Sequence, residues 1–118
     1  MKTVYVAGPY GAPDFMGIDR NIRAAEAAAI RLWDAGFGVF CPHLNTLHFE
    51  VKSSASEEQY KLFDIRMLRA CEILYLLPTW RTSSGARDEC GIAIAAGLRI
   101  YADIDLLIAT EREAVEPK

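Results

Sequence analysis

Two acids and one turn in this 118-residue chain are placed to do chemistry: Glu89, Asp64, and the turn Ser83-Ser84-Gly85 just ahead of Glu89. The stretch from Trp80 to Gly97 follows a continuous apolar run, Ile73-Leu74-Tyr75-Leu76-Leu77, that reads as a fully buried strand. Pro78 ends the strand, a polar turn follows, and a helix of small residues begins near Gly85. A buried strand, a Ser/Gly turn and a helix N-terminus make an anion site, because free backbone N–H groups and the positive end of the helix dipole converge there. The pattern puts Asp88 and Glu89 in the first turn of that helix. At about 100° per residue, Ala86, Cys90, Ala93, Ile94 and Gly97 form its apolar face. Glu89 then lies on the flank of that face, while Asp88 points the opposite way, into solvent. A carboxylate at the carboxyl edge of a sheet, beside an anion site, is well placed to act as a nucleophile. The plainer reading is a helix-start acid, which the dipole stabilises by roughly 0.3–1 kcal/mol.

Asp64 raises the same question in another helix. Ser56 and the acids Glu57-Glu58 mark a helix start, and Tyr60, Phe63, Met67, Leu68 and Cys71 form one apolar stripe along it. Asp64 lies inside that stripe. An aspartate on the core-facing side of a helix is costly unless it is paired or working. Either Arg66, Arg69 or backbone N–H groups satisfy it, or it is a functional acid. Between His43 and Ser56 the periodicity dissolves into a long loop with room for a short helical turn, and loops of that length in a compact domain are usually functional or mobile. No Cys or carboxylate spacing makes His43 and His48 a metal site. They read as loop histidines or ligand contacts, with His43 and Asn45 the candidates for touching substrate.

Composition narrows the class. The length suits one domain over residues 1–118 with a single core. Hydrophobic residues at 52% and charged residues at 25% are ordinary for a soluble globular chain. A net charge of −3 and a pI near 5.3 argue against a nucleic-acid polymer as partner, though a single nucleotide needs no global positive charge. Cys41, Cys71 and Cys90 sit in or beside apolar segments with no CxxC spacing, as small core residues in a reducing compartment. The run Thr3–Ala7 is too short for a signal sequence, and no segment approaches the roughly 20 apolar residues of a membrane span. A cytoplasmic location is expected, with no membrane partner.

The elements that must position the acids follow in order. Thr3 to Ala7 is a first buried strand, and Gly8-Pro9-Tyr10-Gly11 forces a sharp exit where a ligand can approach the backbone closely. The loop runs on toward Ile18. Ile22, Ala25, Ala29, Leu32 and Trp33 then recur at helical spacing, with Gly36 at the C-cap. Phe37 to Cys41 is the second strand, Ile73 to Leu77 the third and Leu98 to Tyr101 the fourth; Asp103 to Thr110 is a short helix or a strand. The polar tail from Glu111 is expected to fray. Alternating strands and helices imply an α/β three-layer sandwich, with four to five mostly parallel strands in a flavodoxin-like or Rossmann-like order. Ligands then bind outside the carboxyl ends of the strands, at the switch point between strands one and three. The G-x-G-x-x-G fingerprint and the P-loop are both absent, which disfavours a dinucleotide cofactor and an NTPase.

Taken together, Val6-Ala7-Gly8-Pro9-Tyr10, Asp64 in a helix before a buried strand, and Ser83 through Glu89 resemble the nucleoside 2-deoxyribosyltransferase superfamily, which includes transferases and nucleoside 5′-monophosphate N-glycosidases. The pattern Trp80-x-x-Ser83-x-Gly85-Ala86-x-x-Glu89 is similar to its small branch called domain of unknown function 4406. The resemblance spans roughly residues 3–101. It implies that Glu89 is the nucleophile that forms a glycosyl-enzyme ester, that Asp64 is the acid that protonates or steadies the departing base, and that Tyr10 stands near the sugar. It implies that Gly8, Pro9, Ser83, Gly85 and Ala86 contact substrate, with Ser83 and Gly85 at the sugar's 5′ end. Trp80 either stacks on the base or caps the core. Serine at position 83, where the nucleoside transferases tend to carry an acid, favours a 5′-monophosphate. The first loop lacks the serine-and-arginine phosphate contacts of the hydrolases, offering only Arg20 and Arg23 nearby. The resemblance further implies no metal or organic cofactor and a homodimer or larger homo-oligomer. A nucleotide-binding module without catalysis is the alternative, and an intact acid pair argues against it.

Overall fold

A computed structural model of the chain describes residues 1–113. Four strands, β1 (Thr3–Ala7), β2 (Gly38–Phe40), β3 (Ile73–Leu76) and β4 (Arg99–Tyr101), form one parallel sheet in the order β2-β1-β3-β4. Strands one and three are therefore neighbours. The helices are α1 (Phe15–Asp34), α2 (Pro42–Asn45), α3 (Glu57–Ala70), α4 (Ser84–Ala96) and α5 (Ile104–Glu111), with short 3-10 turns at Phe49–Val51 and Trp80–Thr82. No described helix is long and apolar enough to cross a membrane.

Both central strands are buried on both faces, and the alternation of their side chains sorts the core into two layers. Val4, Val6, Ile73, Tyr75 and Leu77 face Ala25, Ala29 and Leu32 of α1 and Leu107 of α5. Tyr5, Ala7, Leu74 and Leu76 face Leu68 of α3 and Ala86 and Ala93 of α4. The result is the expected three-layer α/β sandwich, its sheet four-stranded.

Several local expectations change. Asp14 caps α1 by accepting from the N–H of Gly17, so the helix starts at Phe15 rather than near Ile18. Ile22, Ala25, Ala29 and Leu32 are its buried face, but Trp33 is one position further round and 53% exposed. On α3 only Leu68 is fully buried; Phe63 of the predicted stripe is 46% exposed. On α4, Ile94 is likewise exposed, and Gly97 is the left-handed C-cap (φ 81°) rather than part of the apolar face. Asp103 caps α5, which settles that segment as helix.

Glu111 does not fray. It ends α5 with its carboxylate buried, where it accepts from Arg99 Nε (2.7 Å), Tyr101 Oη (2.7 Å) and Lys2 Nζ (3.2 Å). The rest of the predicted tail, residues 114–118, lies outside the described residues. The Arg99 bond, aided by Tyr101 and Lys2, holds the Glu111 pKa down near 2. That clasp ties α5 to β4 and to the chain start, and its stabilisation is present above the unfolded carboxyl pKa and lost as pH falls from about 4.5 toward 2. Glu111→Gln is expected to lower stability by about 1–3 kcal/mol at pH 7 in urea titrations and by much less at pH 3.

At the carboxyl end of β1 the chains crowd. A Cβ on Gly8 would sit 2.5 Å from Leu77 Cδ1 and 2.7 Å from Leu77 Cβ. Gly8 is required there by space, because β1 leaves the sheet directly against the end of β3. Gly8→Ala is expected to destabilise the fold by about 1–3 kcal/mol in chemical denaturation.

Candidate active site

The exit of β1, the turn into α2, and the facing sides of α3 and α4 enclose an open cleft of about 1290 Å³ at the carboxyl edge of the sheet. Gly8, Tyr10, His43, Asp64, Ser83, Gly85, Ala86 and Glu89 all line it. Pro9, Asn45 and Trp80 do not. Pro9 acts from behind, where its carbonyl accepts from His43 Nε2 at 2.7 Å. Because a carbonyl only accepts, that contact puts the proton of a neutral His43 on Nε2, and burial lowers the His43 pKa and favours the neutral ring. Asn45 is two residues past His43 in the short helix α2, on its other side, beside Trp33 and Val39 in a separate shallow groove. Trp80 packs on the core layer of Tyr5 and Leu74, with the Arg81 guanidinium 5.3 Å above its ring. Of the two readings of Trp80, the structure favours the core cap.

Ser83 is the N-cap of α4 and accepts from the N–H of Ala86 at 3.1 Å. The helix therefore starts at Ser84, and Asp88 and Glu89 fall in its second turn rather than its first. This shift matters for charge. The dipole's effect fades beyond the first turn, so it cannot keep Glu89 ionised by itself. Asp88 also lines the cleft instead of pointing away from it.

Glu89 is held by a residue the sequence reading passed over. Tyr5, fully buried in the middle of β1, donates its hydroxyl to Glu89 Oε2. The signal was available: a tyrosine inside an all-apolar strand needs a partner for its O–H. Burial pushes the Glu89 pKa up to about 7, with Asp64 and Asp88 adding repulsion, while the Tyr5 bond and Lys61 pull it down. Desolvation and the same carboxylate raise the Tyr5 pKa far out of reach, so Tyr5 acts as a fixed donor. Burial alone raises Asp64, to about 6. Among the described residues Asp64 makes no hydrogen bond or ion pair, with Arg66 and Arg69 or with any other group. Two carboxyl groups thus share one cleft, one fixed by a hydrogen bond and one free, and the Asp64 charge reaches Glu89. Such a pair can supply a nucleophile and an acid to one substrate.

Tyr10 lines the cleft, but its hydroxyl is engaged. It donates to Glu50 (2.9 and 3.0 Å) and accepts from the backbone N–H of His48 at 3.2 Å. Among the described residues no three His, Cys, Asp or Glu side chains gather as a metal ion would require.

Several solved structures share this architecture. A 2-deoxyribosyltransferase from Leishmania mexicana superposes with a TM-score of 0.62 at 20% identity, over 85% of this chain and 62% of its own. A 2-deoxyribosyltransferase from Bacillus psychrosaccharolyticus gives 0.58 at 22% identity, over 83% and 69%. A CMP N-glycosidase from Clostridium botulinum gives 0.60 at 20% identity, over 92% and 82%. The chain shares its fold with these two deoxyribosyltransferases and the N-glycosidase, and it spans less than two thirds of the length of the Leishmania protein. The profile of the family described as domain of unknown function (DUF4406) matches residues 2–102, and the chain belongs to that family. No curated protein matches it.

Proposed function

We propose that this protein cleaves or transfers the N-glycosidic bond of a nucleoside or nucleoside 5′-monophosphate through a covalent intermediate on Glu89. The observation that carries this reading is the pairing of Glu89 and Asp64 across one cleft, both with pKa values raised toward neutrality. Ionised Glu89 attacks the anomeric carbon as the C–N bond breaks, and the bonding pair leaves with the base. Asp64 delivers its proton to that base. Water, or the nitrogen of a second base, then attacks the anomeric carbon, the ester bond returns its electrons to Glu89, and Asp64 takes the proton back. No step calls for a metal or organic cofactor. Tyr5 keeps the carboxylate aimed and its negative charge partly neutralised.

The start of α4 receives the 5′ end of the sugar. The N–H groups of Ser84 and Gly85 lie ahead of the first intrahelical bond, and Ser83 Oγ offers its own proton while accepting from Ala86. A hydroxyl here accommodates a phosphate where a carboxylate would repel it, so the 5′-monophosphate is the favoured substrate. Leu62 of α3 and Ile94 of α4 are 61% and 65% exposed, and they support a homo-oligomer, to be checked by light scattering.

The test is chromatographic. Nucleosides and 5′-monophosphates, ribo and deoxy, are incubated with the protein with and without an acceptor base. Free base from monophosphates identifies a nucleotide hydrolase, and exchange without net release a transferase. Silence across the panel, together with thermal stabilisation by the same ligands, refutes the catalytic reading and leaves a nucleotide-binding module.

A further inference from the structure

Residues 46–56 form one wall of the cleft, through Thr46 and Glu50, yet they bury almost nothing. No residue from 44 to 56 is buried, and Leu47, Phe49 and Val51 are 39%, 42% and 72% exposed. The hydrogen bonds of the stretch are nearly all local turns, such as Phe49 N–H to Thr46 O, Lys52 N–H to Phe49 O and Ser53 N–H to Phe49 O. Among the described residues, one side chain outside the stretch and its flanking helices bonds to it: Tyr10, through Glu50 and the His48 N–H. The Phe15 ring stacked on His48 at 4.8 Å is the other tie.

The backbone of this stretch is also strained at one residue. His48 adopts a left-handed conformation (φ 58°), unfavourable for a residue with a Cβ. Its Nδ1 is shut off from solvent 3.8 Å from Glu50, too far for a hydrogen bond, and the hydroxyl of Tyr60, in the first turn of α3, is sealed without a partner. Buried polar groups without partners favour any state that hydrates them. Few buried contacts, local hydrogen bonds and unsatisfied polar atoms together describe a segment of low local stability, held by the Tyr10 hydroxyl and the Phe15 ring.

We propose that residues 46–56 are a strap that opens and closes over the cleft, and that Tyr10 is a positioning residue whose hydroxyl latches it. Pro42–Asn45 and the Ser56 cap anchor its two ends. With the latch made, the Glu50 carboxylate stands in the cleft wall. With the latch released, the strap swings out and the mouth of the cleft widens.

Lys52 lies in the strap and is exposed, which provides a readout independent of any activity. Limited trypsin digestion of the full chain is followed by mass spectrometry, with Arg31 in α1 and Arg69 in α3 as control sites. When reclosing outpaces cleavage, the cutting rate tracks the open population. In Tyr10→Phe, which keeps the ring and removes all three hydrogen bonds, cleavage after Lys52 is expected to rise about tenfold with Arg31 and Arg69 unchanged. Glu50→Ala, which leaves Tyr10 its bond from His48, is expected to give a smaller rise and carries the test if the first variant fails to fold. Rates at Lys52 within about twofold of wild type in both variants, or a rise only in step with Arg31 and Arg69, overturn the latch.

Discussion

Glutamine at position 89 is expected to abolish base release and, at the same time, to raise the melting temperature at pH 8. The first effect follows from chemistry. An amide is not a competent nucleophile at the anomeric carbon, so turnover is expected to fall by at least about 10³-fold. The second follows from burial. The pKa of Glu89 in the fold is about 7, above its unfolded value of 4.5, because desolvation disfavours the charged form more than Tyr5 and Lys61 restore it. A carboxyl group raised in this way contributes its full stability below pH 4.5 and loses it as pH rises through 7. By pH 8 the folded protein carries roughly 2–3 kcal/mol of destabilisation that a glutamine does not. Tyr5 can still donate to the amide oxygen, so the packing around position 89 is retained. The melting temperature is expected to rise by several degrees at pH 8 and by far less at pH 5. A variant no more stable than wild type at pH 8 would mean that water reaches Glu89 and that burial is not what sets its pKa.

The residues of the site were legible where a single element determines them. The apolar run of β3, the small-residue face of α4 and the stripe of α3 are local periodicities, and they were enough to bring Glu89 and Asp64 to the same edge of the sheet. What one helix boundary decides was less legible. Ser83 rather than a later residue caps α4, and that choice moves both acids into the second turn; that Asp88 lines the cleft depends on how α4 packs, which no local pattern gives. Short turns have no period to read: in the four-residue α2 and the 3-10 turn at Trp80–Thr82, nothing local says that His43 lines the cleft, Asn45 lies outside it and Trp80 faces the core. The most consequential omissions are long-range pairs. Tyr5 and Glu89 are 84 residues apart and meet because β1 and β3 are neighbours, with α4 packed over both. Glu111 read as part of a charged tail because its partners include Lys2, 109 residues away. In each case the residue type announced a need for a partner, and only the topology says where that partner is.

The pH dependence of base release is expected to be a narrow bell with its maximum between pH 6 and 7. The productive state needs Glu89 ionised and Asp64 protonated. Below about pH 6 both groups hold protons, and above about pH 7 both have lost them. In between, one proton is shared, and it prefers Glu89, whose pKa is the higher of the two. The productive arrangement is then a minority, about one tenth of the singly protonated pool. The two limbs belong to the pair rather than to either residue, since the Asp64 charge raises the affinity of Glu89 for a proton. Two variants separate the contributions. Asp64→Asn should remove the alkaline limb and lower the rate by about 10²–10⁴-fold, leaving a single rise as Glu89 ionises. Tyr5→Phe removes the bond that draws the Glu89 pKa down. The alkaline limb should move to higher pH while the productive tautomer shrinks, and kcat/KM at pH 6.5 should fall about tenfold, as expected for the loss of one hydrogen bond to a charged group. A wild-type acid limb near pH 4.5 would instead mean that Glu89 ionises like a solvated carboxylate. Tyr5 would then be a structural partner with no part in setting the nucleophile's charge.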